Sequence, residues 1–121
     1  MGLFETKIRV GAMNGGVPVF TQEVRALVDT GATYTTLPAA VLERAGVARI
    51  GKMQVRLANG TFVEKDFGIA VMEVAGRVAG ANVLFGEKDD FALIGATTLE
   101  LASLAVDPVG QRLVPVSAIQ A

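Results

Sequence analysis

The chain has 121 residues, 51% of them hydrophobic, and a net charge of −1. It contains no histidine and no cysteine, which removes Ser-His-Asp and Cys-His chemistry and nearly every zinc or iron site, leaving carboxylate, hydroxyl and lysine chemistry. Its basic residues are scattered, which argues against nucleic acid as a partner, and charges break every apolar run before the roughly 18 residues of a membrane span.

The length is that of one ordinary domain, residues 1–121, with enough apolar content for a core. A mean hydropathy of +0.48 leaves apolar surface over, and a subunit interface is the simplest use for it. Met1-Gly2-Leu3-Phe4-Glu5-Thr6 fits the loose N-myristoylation pattern, although a start methionine followed by a small residue is the simpler reading. No basic stretch, apolar stretch and cleavage site follow one another there, so the expectation is a cytoplasmic protein.

Lys7-Ile8-Arg9-Val10 alternates polar and apolar residues as a half-buried strand does. Asn14-Gly15-Gly16-Val17-Pro18 breaks it, and Pro18 suits no central strand. Glu23-Val24-Arg25-Ala26-Leu27-Val28 resumes as a strand with a continuous apolar end and delivers Asp29 to the turn Asp29-Thr30-Gly31. A carboxylate leaving the core edge is costly unless turn amides or a reaction use it.

Thr33–Leu37 is rich in β-branched and aromatic residues and predicts a short strand; Pro38 to Gly46, with proline first and glycine last, predicts a short helix. Met53–Leu57 and Thr61–Lys65 flank Asn59-Gly60, which predicts a hairpin with a type I′ turn. The same Asn59-Gly60-Thr61 is formally a glycosylation sequon, but the turn reading is preferred. Gly68–Val74 and Val78–Phe85 predict two more strands joined near Ala75-Gly76-Arg77, and Glu87–Asp90 a solvated acidic turn rather than a calcium loop. Ala92-Leu93-Ile94-Gly95-Ala96-Thr97 then echoes Ala26–Thr33 without its Asp, and a second helix is expected from Ala96 to Ser103. Leu104–Val106, a turn at Asp107–Gly110 and Arg112–Val116 close the chain, with Pro115 confined to an edge or an end.

The run Ala26-Leu27-Val28-Asp29-Thr30-Gly31-Ala32, followed half a chain later by Leu93-Ile94-Gly95, resembles the active-site framework of retropepsin-like aspartic proteases, from about Lys7 to Val116. The resemblance implies an all-β acid-protease barrel with a flap hairpin and one or two short helices, one lobe per chain. With a single Asp-Thr-Gly, a working pair of carboxylates takes two chains, so the implied partners are a second copy and a peptide or protein substrate. By resemblance Asp29 is catalytic, Thr30 and Gly31 support the pair, and Ala32, Asn59, Gly60, Thr61, Phe62 and Ile94 lie against the substrate, with no metal and no cofactor. Many viral members carry an Arg after the second glycine and an acid soon after Asp-Thr-Gly-Ala; here Ala96 and Thr33 or Tyr34 stand there, which suggests a cellular relative. Two other readings are a catalytically silent peptide-binding or assembly dimer, consistent with a glycine-poor flap tip, and an unrelated small barrel in which Asp29 is only a turn residue.

Overall fold

The computed structural model describes residues 4–116, so Gly2, on which the myristoylation pattern depends, lies outside the described residues. Among the described residues nine strands and two short helices follow in the order β1 (Phe4–Asn14), β2 (Val17–Val28), β3 (Thr35–Pro38), α1 (Ala39–Arg44), β4 (Gly51–Arg56), β5 (Phe62–Val74), β6 (Arg77–Gly86), β7 (Leu93–Ile94), α2 (Ala96–Leu101), β8 (Leu104–Asp107) and β9 (Arg112–Pro115). Neither helix is long and apolar enough to cross a membrane.

Seven strands form one sheet in the order β1-β2-β7-β3-β6-β5-β4, and a β1–β5 pairing curls six of them into a barrel. β5 runs 13 residues because it serves three partners: β4 along Phe62–Phe67, β6 along Phe67–Val74 and β1 along Val71–Val74. The strand predicted at Gly68–Val74 places Ala70, Met72 and Val74 inside, all fully buried. They meet Ile8 and Val10 of β1, Val83 of β6, Leu37 of β3 and Leu42 of α1 in one core. β4 stands outside the ring with β5 as its only strand partner among the described residues, which leave its other edge open.

The helix predicted from Pro38 to Gly46 is shorter, with Pro38 at its N-cap. Its end is closed by Gly46 N–H to the Glu43 carbonyl (3.1 Å) and Val47 N–H to the Leu42 carbonyl (2.9 Å), the paired bonds of a Schellman ending. The second helix stops at Leu101, short of the expected Ser103. Pro18 is the second residue of β2, opposite Met13, well away from the Leu27–Val28 end that pairs with β7.

The turn at Asn59-Gly60 is not type I′. Gly60 has φ +88° but Asn59 has no positive φ, as a type I′ turn would require. The Leu57 carbonyl accepts the Gly60 N–H (2.9 Å) and the Leu57 N–H reaches the Thr61 carbonyl (2.8 Å), so the loop has three residues, Ala58-Asn59-Gly60. Asn59 Oδ1 accepts both the Thr61 N–H (3.0 Å) and the Thr61 hydroxyl (2.6 Å), a local arrangement that competes with the two-residue turn. Two consecutive positive φ values occur instead at Gly15 (60°) and Gly16 (83°), between β1 and β2, and at Ala75 (48°) and Gly76 (77°), between β5 and β6.

An alanine in the left-handed region costs about 1–2 kcal/mol, which asparagine largely avoids by bonding locally. Ala75→Asn is therefore expected to raise unfolding stability by about 1 kcal/mol, read from urea melts, with unchanged denaturant slope. The β8–β9 hairpin carries a second test. Asp107 accepts N–H groups of Gly110 and Val109 and the Arg112 Nε–H, and these bonds, the one from Gly110 foremost, hold its carboxyl below the ordinary 3.8. A depressed folded value gives a contribution that is whole above 3.8 and lost as pH falls through the lower value. Asp107→Asn should thus weaken the hairpin at neutral pH and leave it equal to wild type in strong acid, as followed by amide shifts of Ala105 and Val114.

Candidate active site

β2 ends at Val28, and the next residue is tied down on every side. Asp29 N–H donates to the Ile94 carbonyl (2.9 Å), its own carbonyl accepts the Ala32 N–H (3.2 Å), and its Oδ1 accepts the Gly31 N–H (2.9 Å). The first of these bonds extends the parallel pairing in which Leu27 faces Leu93 and Val28 faces Ile94. The two stretches that echo each other in sequence therefore lie side by side.

The contact between them is backbone on backbone. The Ala96 and Thr97 N–H groups, at the start of α2 and without partners inside the helix, donate to the carbonyls of Ala32 (2.8 Å) and Thr33 (3.0 Å). Position 95 sits so close that a Cβ there would lie 2.6 Å from the Tyr34 carbonyl carbon and oxygen and 2.9 Å from the Ala32 oxygen. Only glycine fits. Its N–H donates to Thr35 Oγ1 (3.0 Å), which lies 2.6 Å from Thr98 Oγ1, and both threonines are fully buried. A cross-linked polar pair in the core thus locks the Asp29 turn, β3 and α2 together.

Beside this scaffold lies a cleft of about 620 Å³. Asp29, Gly31 and Ala32 line it, with Thr33 and Tyr34 from the bend before β3, Thr36, Leu84 and Leu93 from the neighbouring strands, and the Gln54–Ala58 stretch of β4 and its turn. Asp29 is its only carboxylate and Arg56 its only other charged residue. Of the other residues expected at the site, Thr30 is exposed and outside the lining, and Asn59, Gly60, Thr61 and Phe62 lie at the tip of the β4–β5 hairpin, also outside it. Ile94 requires correction. It is fully buried in the core, because its register partner Val28 points inward and paired residues share a face. Leu93, partner of Leu27 and so on the face that Asp29 continues, reaches the cleft instead. Strand parity alone carries that signal; Thr36 and Leu84 had none in the sequence, and of the flap hairpin only the tip, not the Gln54–Ala58 stretch, was singled out.

The open edge of β4 has a definite polarity. Because Leu57 and Thr61 form a hydrogen-bonded pair, alternation makes Val55 with Val63 the next such pair and turns the main-chain groups of Gln54 and Arg56 away from β5. Two residues whose amide and carbonyl have no partner among the described residues therefore border the cleft. Among the described residues no cluster of acids is placed to hold a metal ion.

A family model described as "gag-polyprotein putative aspartyl protease" matches residues 16–101, a span that includes Asp29, the β4–β5 hairpin and Gly95. The chain belongs to that family. Its fold is the retropepsin-like one: the solution structure of Simian Foamy Virus (mac) protease superposes with a TM-score of 0.56, at 24% identity over 80% of this chain and 92% of that one. No curated protein matches the chain.

The Gly95 contact makes a sharp expectation. Gly95→Ala forces a Cβ into backbone that cannot yield, costing about 3 kcal/mol, at the upper end of the overpacking range. Thr35→Val keeps the shape but strips the Gly95 N–H and the Thr98 hydroxyl of their partner, costing about 1–3 kcal/mol by denaturant melts.

Proposed function

We propose that the protein is an aspartic endopeptidase that works as a homodimer, each chain giving one Asp29 to a shared catalytic pair. The observation that carries this is the placement of Asp29: a lone carboxylate, anchored through one oxygen by Gly31, in a cleft bordered by an unpaired strand edge. Such an edge suits an extended peptide, which would add as a further strand to Gln54 and Arg56. One carboxylate is half of what peptide hydrolysis by this chemistry needs, and a two-fold axis beside the turn supplies the other from the same residue.

In that dimer two adjacent carboxylates share one proton, since both cannot ionise at hydrogen-bonding distance; aspartic proteases are the familiar case. The ionised member takes a proton from a water as its oxygen adds to the scissile carbonyl, while the protonated member donates to the carbonyl oxygen. Collapse of the tetrahedral intermediate breaks the C–N bond, the amine leaves with a proton from the pair, and the product acid returns the pair to its singly protonated state. Thr30 and Gly31 hold the carboxylates in register, and Ala32 lies beside the peptide. The Asn59–Phe62 tip closes over it.

Wild type and Asp29→Asn, each at concentrations favouring dimers, are compared on a mixed unstructured peptide library read by mass spectrometry from acid to neutral pH. The expected result is cleavage by wild type alone with a bell-shaped pH profile, its two limbs belonging to the pair rather than to either residue. Residual activity of the variant is expected below a thousandth of wild type. Peptide binding by both with cleavage by neither would replace the enzyme with the silent binding dimer.

A further inference from the structure

The cleft is only as well shaped as the hairpin that borders it, and that hairpin is long. From Gly51 the six residues of β4 carry the turn roughly 20 Å outward at about 3.4 Å per residue, with β5 as its only companion strand. A small rotation at the root becomes a large displacement at Asn59.

The root is gripped by one side chain. Arg49, just before β4, donates from one guanidinium nitrogen to Glu43 of α1 (2.8 Å) and from Nε to Asp66 of β5 (3.0 Å). Its guanidinium carbon lies 4.3 Å from the centre of the Phe85 ring on β6. Lys52 of β4 closes the group on the other Asp66 oxygen (2.7 Å). Beneath them Gly68 packs so tightly that a Cβ would come 2.3 Å from the Ala48 carbonyl oxygen, which leaves the chain before β4 little freedom to slide along β5. No other cation among the described residues reaches carboxylates on two different elements beyond one loop while stacking on a ring of a third.

We propose that Arg49 is the positioning residue of the hairpin, a clamp that sets the angle at which β4 stands over the cleft and hence the fit of the peptide. Arginine suits this place because its planar fork bonds two carboxylates while one face stacks on an aromatic ring, which a lysine ammonium cannot do at once. Phe85 also couples the clamp to the site, since the residue just before it on β6, Leu84, lines the cleft. The inference rests on reading the hairpin as the element that closes over substrate, but its first test needs no catalysis.

Amide hydrogen exchange is measured on full-length wild type, Arg49→Met, Arg49→Lys and Asp66→Asn. In Arg49→Met, which keeps the apolar stem, exchange over residues 52–63 should accelerate about tenfold while Ile8, Val10 and Val83 in the barrel stay unchanged. Arg49→Lys should fall between, and Asp66→Asn, which leaves the Phe85 stack alone, should accelerate the same segment. Unchanged hairpin exchange, or equal acceleration in the barrel, overturns the proposal. On a cleaved peptide, Arg49→Met should raise KM several-fold with kcat within about twofold, and a fall in kcat at constant KM would equally overturn it. Accelerated hairpin exchange in a protein that cleaves nothing would remove the endopeptidase reading and leave the clamp standing.

Discussion

Everything in the site hangs on the close approach of two turns. Gly95 comes near enough to Tyr34 and Ala32 that a single added carbon would collide with their backbone, and the closeness is held by hydrogen bonds that run inward to Thr35 and Thr98. This contact orients the end of β2, seats the start of α2 on carbonyls that would otherwise be unpaired, and leaves Asp29 facing outward. A buried polar pair of this kind contributes little net stability compared with the apolar core around it, but it is specific. Sliding either turn by one residue would bury unpaired donors, so the register of the site is fixed by the penalty for every alternative.

The barrel was largely legible from residue order. Alternation in Lys7–Val10 and Met53–Leu57 marked strands because each has one wetter and one drier face, and the echo of Ala26–Thr33 in Ala92–Thr97 marked the paired turns. Asp29-Thr30-Gly31 stood out because an acid at the end of an apolar strand is an unusual place for charge. What failed did so for identifiable reasons. Asn59-Gly60 has the composition of a two-residue turn, but Thr61 offers Asn59 two donors at once and the loop takes in Ala58. Ile94 was placed one residue out of phase, an error that strand pairing with Val28 corrects. The hairpin was legible but the role of its Gln54–Ala58 border was not, because the relevant groups are main-chain amides of an edge strand and nothing in a sequence says which strand will be last.

Edge position also explains the composition of β4. An unpaired strand edge invites any extended chain, and proteins commonly discourage this with charge. Lys52 and Arg56 are spaced along β4 with Gln54 between them, exposed on one face, while Met53 and Val55 turn toward the protein. The strand is thereby open to a partner that enters along the cleft and poorly suited to stacking against another copy of itself.

The separation in sequence of the groups that build the site has a bearing on when it comes into being. The Thr35–Thr98 bond spans 63 residues and the Gly95–Thr35 bond 60, so these contacts close large loops and repay their entropic cost only after the intervening strands β4, β5 and β6 are in place. β7 has two residues and cannot stand without β2 and β3 on either side. During synthesis, a chain emerging as far as β6 holds Asp29 in its local turn but lacks Ile94, Gly95 and Thr98, which seat that turn on the barrel. The arrangement around that carboxylate is therefore among the last features to form, and a partly made chain carries its acid in an unassembled turn until the final quarter of the sequence arrives.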